Sequence, residues 1–508
     1  MSDTAERSNL AMQFKNRFLT VAASAVGVSL LVQGLAFLRQ LLIAAYFGVG
    51  RDFDVYVMVY MVASIMVFTF AGIFDSVAVP NLVRKRESDG PEAALALARS
   101  IFRLSLLLGG AMSLVFLIAV PLLAPIFATG FSPEERAGLT KLAWYFVPWT
   151  LVCVPYYAAA ARYKMEWRFN RVFVAEIVIV VVSIGFLALR HGDIRMLPLA
   201  YAIGYGVGLV QLAAGAALWR RRAGEGPSPT VRDVLRNIGE LFLANQTGGL
   251  ASLVDRHFQS FLVAGGIGAV NYSVQIIASL SNLLSFRDIY VVPLTQQADR
   301  AERLERLLSG LLLVAVPVAG FVACLAPELL KVLLQHGRFD ASATALTAEA
   351  LRLGVLSLIP SAVTAPLFRM FQIIDRIHYS HVVYLTVAAS SVVFGYLFVL
   401  RLGWGVQGVA LMQLAGSALT AVVSAYLVGR CGIRLRWRAI LGWLALAAFV
   451  SGIAYLAAAA AISGLENTWP RLMIGGTAYG LVVLLCYFLA RAQLRGIVFG
   501  LAPSRKSL

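Results

Sequence analysis

Long apolar runs broken by short polar connections make up nearly the whole chain. The runs lie near 17–47, 54–83, 94–127, 137–161, 172–190, 196–219, 234–264, 268–297, 305–334, 344–374, 378–400, 404–428, 438–462 and 470–490. About 20 apolar residues of helix cross a bilayer. Each run therefore predicts a membrane-spanning helix, and the fold class is an all-α membrane protein with about 14 transmembrane helices. Several runs exceed the bilayer thickness and must tilt, bend or begin as surface helices. Gly27, Gly34, Pro121, Pro148, Pro155, Pro317, Pro360 and Pro366 are the expected bend points. No connection is long enough to hold a soluble domain.

Composition agrees with a lipid environment. The 508 residues are 60% hydrophobic and 14% charged, against about 25% charged in soluble domains. The net charge of +17 would point to nucleic acid in a soluble protein. In a membrane protein the placement of Lys and Arg carries more information, and no nucleic-acid partner is expected. Alternate connections differ in charge. One set, with "VRKRE", "RYKMEWRFNR", "WRRRAGEGPSPTVRDVLR" and both termini among its members, holds 27 Lys and Arg; the other, with "TGFSPEER" and "HGRFD", holds 7. The positive-inside rule then places both termini in the cytoplasm, and an even span count agrees. The N-terminus lacks the apolar core and cleavage site of a signal peptide and is expected to be retained. Cys153, Cys324, Cys431 and Cys486 have no paired spacing and read as small hydrophobes. The five histidines form no metal motif.

The chain also repeats itself. "FDSVAVP" ends the second run and "RDIYVVP" the eighth; both read D-x4-P, with Asp75 and Asp288 213 residues apart. Pro155 and Arg190 bound a helix–loop–helix matched 211 residues later by Pro366 and Arg401. "ATGFSPEE" echoes "QHGRFDAS". These offsets predict two six-helix lobes related by a parallel repeat, plus two extra C-terminal helices. The expected division is 1–222, 223–430 and 431–508. Two similar lobes around a central axis are the architecture of alternating-access carriers, whose substrate site lies between the repeats.

Charged groups at membrane depth cost roughly 2.5–3.5 kcal/mol on insertion scales and usually face a bundle interior or a watery cavity. Arg39, Asp75, Asp255, Arg256, Arg287, Asp288, Arg352 and Arg369 are the deep ones. Arg39 and Arg256 read either as a cationic cavity for an anionic headgroup or as charge balance with Asp255 and Asp54; Arg287 reads as cavity lining, an interhelical ion pair or an arginine snorkelling to the inner surface, and Arg369 as a further cavity cation. Asp75 and Asp288 are repeat equivalents; they and Asp255 read as gate or cation-coupling carboxylates, or as partners of arginines. Asn271, Gln275, Ser279 and Asn282 share one helix face, as cavity lining or as helix–helix hydrogen bonding. No G-x-x-x-x-G-K-[ST] motif is present, so transport runs downhill, on Na⁺ or H⁺, or on membrane potential. No catalytic residue, bound metal or other cofactor is expected.

Several stretches carry a family likeness. "GLAFLRQLLIAAYFGVGRDFDVYV", "LLQHGRFDASAT" and "APLFRMFQIIDRIHYSHVV" resemble the first helix and turn, the turn after the ninth helix and the A-P-x-F helix of MurJ/MviN-type lipid II flippases. That family lies within the multidrug, oligosaccharidyl-lipid and polysaccharide carrier superfamily. The resemblance implies transfer of a polyprenyl-diphosphate-linked saccharide from the inner to the outer leaflet of the bacterial inner membrane, through a cationic cavity between the lobes. The lipid tail is expected to stay in the bilayer near the last two helices. Arg39 matches the arginine of the family's G-F-x-R, and Asp54 the aspartate of its next turn. Three positions cationic in the family are neutral here: Gln33, the segment "MVFTFAG" and Gln275. Either other arginines substitute, or the cargo is an exopolysaccharide or O-antigen repeat unit in place of lipid II. The partners expected are that glycolipid and membrane lipids, with the chain as a monomer. The other class weighed is a cation-coupled multidrug exporter; the two extra helices and the arginines count against it. A membrane glycosyltransferase would need larger outside loops.

Overall fold

The structure is a computed structural model that describes residues 27–28, 31–216, 218–219, 249, 251–285, 300–374, 376 and 378–490. Arg287, Asp288 and Pro293 lie outside the described residues, as do most of 220–248 and both termini.

Among the described residues all regular structure is helical. In chain order the helices are α1 (Leu31–Phe47), α2 (Arg51–Asp89), α3 (Pro91–Phe127), α4 (Pro133–Met165), α5 (Phe169–Leu189) and α6 (Met196–Gly215). There follow α7 (251–259), α8 (Gly266–Ser285), α9 (Arg300–Leu333), α10 (Ala341–Ile373), α11 (His378–Arg401), α12 (Gly405–Arg430), α13 (Trp437–Ile462) and α14 (Thr468–Leu489). Eleven of them are long and apolar enough, among the described residues, to cross a membrane. Leu107, Leu122, Leu456 and Leu484 are exposed leucines of α3, α13 and α14. Such side chains suit a lipid surround.

Proline alone does not decide where the helices turn irregular. Pro121 leaves α3 continuous and Pro148 and Pro155 leave α4 continuous. The irregular turns fall elsewhere. α2 widens into a π turn at Phe74–Ala78, just before Pro80, which has no N–H for the carbonyl of Ser76. The Asn81 side chain donates to the neighbouring carbonyl of Val77 (2.8 Å). α9 is non-helical at Leu325, two residues before Pro327. α10 tightens to a 3₁₀ turn at Val355–Ser357, just before Pro360. α11 ends in a second π turn, Tyr396–Arg401, which no proline marks.

The chain forms two compact units. The first comprises Met1–Tyr46, Val59–Leu123 and Ala137–Asn245; the second comprises Phe47–Met58, Ala124–Arg136 and Gln246–Leu508. This differs from the division expected from the repeat. The last two helices join the second unit, and so do two turns from the first half of the sequence. The first unit is held by a core of Phe70, Phe74, Phe102, Tyr156, Val172 and Leu212 from α2 to α6.

In the second unit α9 is the spine. Its buried Leu304, Leu308 and Leu312 pack with Leu367, Phe371, Val428 and Ile440, and Leu325 packs with Ala454, Ala458 and Tyr479. Ion pairs pin the last two helices near both ends of α9: Arg436 to Glu305 (2.8 Å) and Arg471 to Glu328 (2.7 Å). Two tyrosines of α14 serve the Pro317 region. Pro317 leaves the carbonyl of Leu313 without its helical donor, and the Tyr487 hydroxyl donates to it (2.6 Å). The Tyr479 hydroxyl donates to the Pro317 carbonyl (3.0 Å). Tyr487→Phe should therefore lower thermal stability by about 1–3 kcal/mol, the penalty for a carbonyl left unsatisfied. Melting in detergent checks this; an unchanged melting temperature would show that water or lipid replaces the hydroxyl.

Candidate functional site

Three polar clusters collect most of the residues singled out in the sequence. In the first unit, Arg39 of α1 lies with its guanidinium carbon 4.5 Å from the ring centre of Tyr201. Tyr201 is buried on α6 and packs against Trp149 of α4 (5.4 Å) and Tyr60 of α2 (5.9 Å). Tyr60 and Trp149 stack on each other, 5.6 Å apart and 3° from parallel. Tyr60 and Tyr205 are both within electrostatic reach of Arg39. The arginine that resembles the family's G-F-x-R thus sits over the Tyr201 ring, which is itself packed against rings of two further helices.

The second cluster joins Asp54, Asp255 and Arg256 in the second unit. Asp54, in the first turn of α2, is fully buried. Its carboxylate accepts the backbone N–H groups of Gly265 (2.7 Å) and Gly268 (2.8 Å), at the start of α8. A helix N-terminus supplies orphan donors and a favourable field for an anion, so a buried carboxylate is well placed there. Arg51 stands 3.7 Å from Asp54 and pairs with Glu135 at 2.8 Å. Two glycines make the approach possible. Gly265 has φ +85°, and a Cβ on Gly268 would come within 2.7 Å of the Phe53 ring. Asp54 was expected to contact cargo. Its two oxygens are instead engaged by backbone, which makes it a clamp between the 47–54 segment and α8.

Arg256 of α7 is half-buried and donates to Gln259 (2.5 Å), with Asp255 and Asp54 in electrostatic reach. The neighbouring Asp255 faces the Ser391 hydroxyl of α11. Its Oδ1 is buried without a hydrogen-bond partner among the described residues. His257, next on α7, has Nδ1 2.7 Å from the carbonyl of Ile126 and 3.1 Å from the Thr129 hydroxyl. The Ser260 hydroxyl accepts the N–H of Gly130 (3.0 Å).

The third cluster lies in the first unit, on the π turn of α2. Asp75 pairs with Lys164 of α4 at 2.6 and 2.8 Å, and Glu176 of α5 is in electrostatic reach of both. The sequence offered an arginine as one possible partner of Asp75; the structure gives it a lysine of its own unit. Just beyond, Arg162 donates to Glu166 (2.7 Å) and holds that carboxyl below the usual range.

The remaining candidates do not join these clusters. Ser279 returns its hydroxyl to the Gln275 carbonyl (2.9 Å) within α8, and Asn282 is exposed. Arg369 is exposed and donates to Gln372 one turn on (2.9 Å). Arg287 and Asp288 fall outside the described residues. Sequence reasoning missed Tyr201, Trp149 and Lys164, and took the glycines of "GGIG" for a plain connection. A glycine pair beside a helix start, with an aspartate elsewhere needing donors, was the signal for the last.

These helices build the fold of multi-helix membrane carriers. A structure described as an inward-facing multidrug resistance MATE family transporter of the MOP superfamily matches with a TM-score of 0.57 and 17% identity, covering 79% of this chain and 94% of that one. A structure described as lipid II flippase MurJ in an inward closed conformation matches with a TM-score of 0.75 and 17% identity, covering 92% of this chain and 99% of the other. The model of the lipid II flippase MurJ family matches residues 43–475. The chain belongs to that family. A probable lipid II flippase MurJ of Rhizobium tropici is 23% identical over 380 residues, 68% of each chain.

Proposed function

We propose that this protein moves a polyprenyl-diphosphate-linked saccharide from the inner to the outer leaflet of the bacterial cytoplasmic membrane by alternating access. The family match over 43–475 carries this reading. Arg39 supports it, as a cation in an apolar helix lying over the Tyr201 ring. A diphosphate is recognised best by such a guanidinium, whose planar fork binds two oxygens at once. The protein acts as a transporter, not an enzyme. Asp255, with a buried carboxylate oxygen still to be satisfied, is the candidate group for a coupling Na⁺ or H⁺; membrane potential is the other drive for an anionic load. The multidrug-exporter alternative is the weaker reading, because the MATE structures match at the lower TM-score.

The cargo is lipid II or an exopolysaccharide or O-antigen repeat unit, which share the polyprenyl diphosphate. Gln33, Gln275 and "MVFTFAG" supply fewer cations than the family pattern and favour the repeat unit. Complementation decides: the gene should rescue either a strain depleted of lipid II flipping or one depleted of repeat-unit flipping. Rescue of neither, with the protein present in the membrane, would count against the reading.

With this function both termini are cytoplasmic and the "HGRFD" turn is outside. Single cysteines at Gly224 and Ala341 should label only from the cytoplasm and only from outside, respectively. Labelling of both from one side would overturn the topology.

A further inference from the structure

Lys164 serves two carboxylates. Its Nζ donates to both oxygens of Asp75, at 2.6 and 2.8 Å, and Glu176 lies within electrostatic reach of the same lysine. All three belong to the first unit. The Asp75 side chain is 51% exposed and that of Lys164 23%, whereas Glu176 is half-buried within the apolar helix α5. The charged and titratable groups that face Glu176 are Lys164 and Tyr156 of α4, Asp75 of α2 and Tyr205 of α6. Among the described residues, Lys164 is the one cation in that set.

Two ionised carboxylates beside one lysine leave a negative charge uncompensated, which is costly in an apolar surround. Like charges in reach of each other disfavour joint ionisation, and such a pair holds a proton between them. With Lys164 committed to Asp75, Glu176 is the group left to take it. Once that proton leaves, Glu176 competes for Lys164. The Tyr156 hydroxyl is a second donor in its reach, buried and without a hydrogen-bond partner among the described residues. Asp75 stands on the π turn Phe74–Ala78, so a shift of Lys164 toward Glu176 unties that turn from α4.

We propose that Asp75, Lys164 and Glu176 form a proton-binding site in the first unit: Glu176 holds one proton while Lys164 pairs with Asp75, and release of that proton to the water that reaches Asp75 moves Lys164 to Glu176 and frees the π turn of α2. The site is separate from Asp255, which belongs to the second unit. Its effect on transport rests on the flippase reading; the binding of the proton does not.

The full-length protein in nanodiscs, without cargo, would be titrated by infrared difference spectroscopy. One carboxylic-acid band should disappear as pH rises, and Glu176→Gln should remove it at an unchanged melting temperature. Asp75→Asn leaves the lysine one carboxylate to serve, so the midpoint should fall by about one pH unit or more, a tenfold change in proton affinity. Tyr156→Phe takes a donor from the ionised form, and the midpoint should rise. Hydrogen-exchange protection over 74–78 should drop above the midpoint in wild type and stay level in Glu176→Gln. Absence of a band that Glu176→Gln removes, or a midpoint that Asp75→Asn leaves in place, would overturn the site; level protection in wild type would overturn the release of the turn. In proteoliposomes the flipping rate of the glycolipid should change across the same midpoint, and Glu176→Gln should abolish that dependence. If no glycolipid is flipped at any pH while the titration runs as stated, the flippase reading fails and the proton site stands.

Discussion

On the proposed function, Arg39→Ala should abolish transport and leave a folded protein in the membrane. If Arg39 binds the diphosphate, its guanidinium would contribute charge-assisted hydrogen bonds to phosphate, each about 1.5–3 kcal/mol. Losing a bidentate pair would remove about 3–6 kcal/mol, or about two to four orders of magnitude in affinity. Folding should be spared because an arginine at membrane depth is itself unfavourable, which offsets lost contacts such as the cation–π interaction with Tyr201, worth about 0.5–2 kcal/mol. Arg39→Lys keeps the charge, loses the fork and should retain reduced transport. The measurement is flipping in proteoliposomes beside a detergent melt of each variant. Full transport by Arg39→Ala would return the residue to charge balance.

The second large effect is expected at Asp54. Its two oxygens satisfy the N–H groups of Gly265 and Gly268 in a fully buried place. Asp54→Ala strands both donors, at about 1–3 kcal/mol each. The loss should appear at those two amides: about 3 kcal/mol of local stability, read as a roughly hundredfold faster hydrogen exchange at 265–268. Asp54→Asn should fall between, since its amide retains one acceptor oxygen and turns an NH₂ toward the other donor. Transport should drop in step with the exchange, because the clamp holds the 47–54 segment to the start of α8. Unchanged exchange in Asp54→Ala would show that the α8 turn is held by other interactions.

The helices were legible in the sequence because bilayer thickness fixes their length and lipid fixes their composition. α9 to α14 fall within a few residues of the apolar runs that predicted them. Irregular turns were harder. Pro148 and Pro155 leave their helix continuous, whereas the π turn at Tyr396–Arg401 has no residue type to mark it. The candidate site was legible as a set of charges and not as a set of partners. Asp54 meets glycines 211 and 214 residues away in sequence, and Arg39 meets Tyr201. Such pairs are fixed by which helix faces meet, and hydrophobic periodicity says nothing of that. Asp75 shows the limit most clearly. The repeat implied a carboxylate with a role at that position, but neither the π turn that carries Asp75 nor its pairing with Lys164 of α4 is written in the repeat. The same limit explains the compact units: the ties at Asp54, His257 and Gly130 that draw two turns of the first half into the second unit leave no trace in the repeat offsets.

The most direct measurement of the central claim is flipping by the purified protein. Proteoliposomes would carry fluorescent lipid II or a fluorescent undecaprenyl-diphosphate-linked repeat unit, with a cationic drug as the comparison cargo. At least one of the two glycolipids should cross the bilayer in a protein-dependent way, and that transfer should be lost in Arg39→Ala. Transfer of neither glycolipid, with the cationic drug transported and Arg39→Ala unimpaired, would contradict the claim.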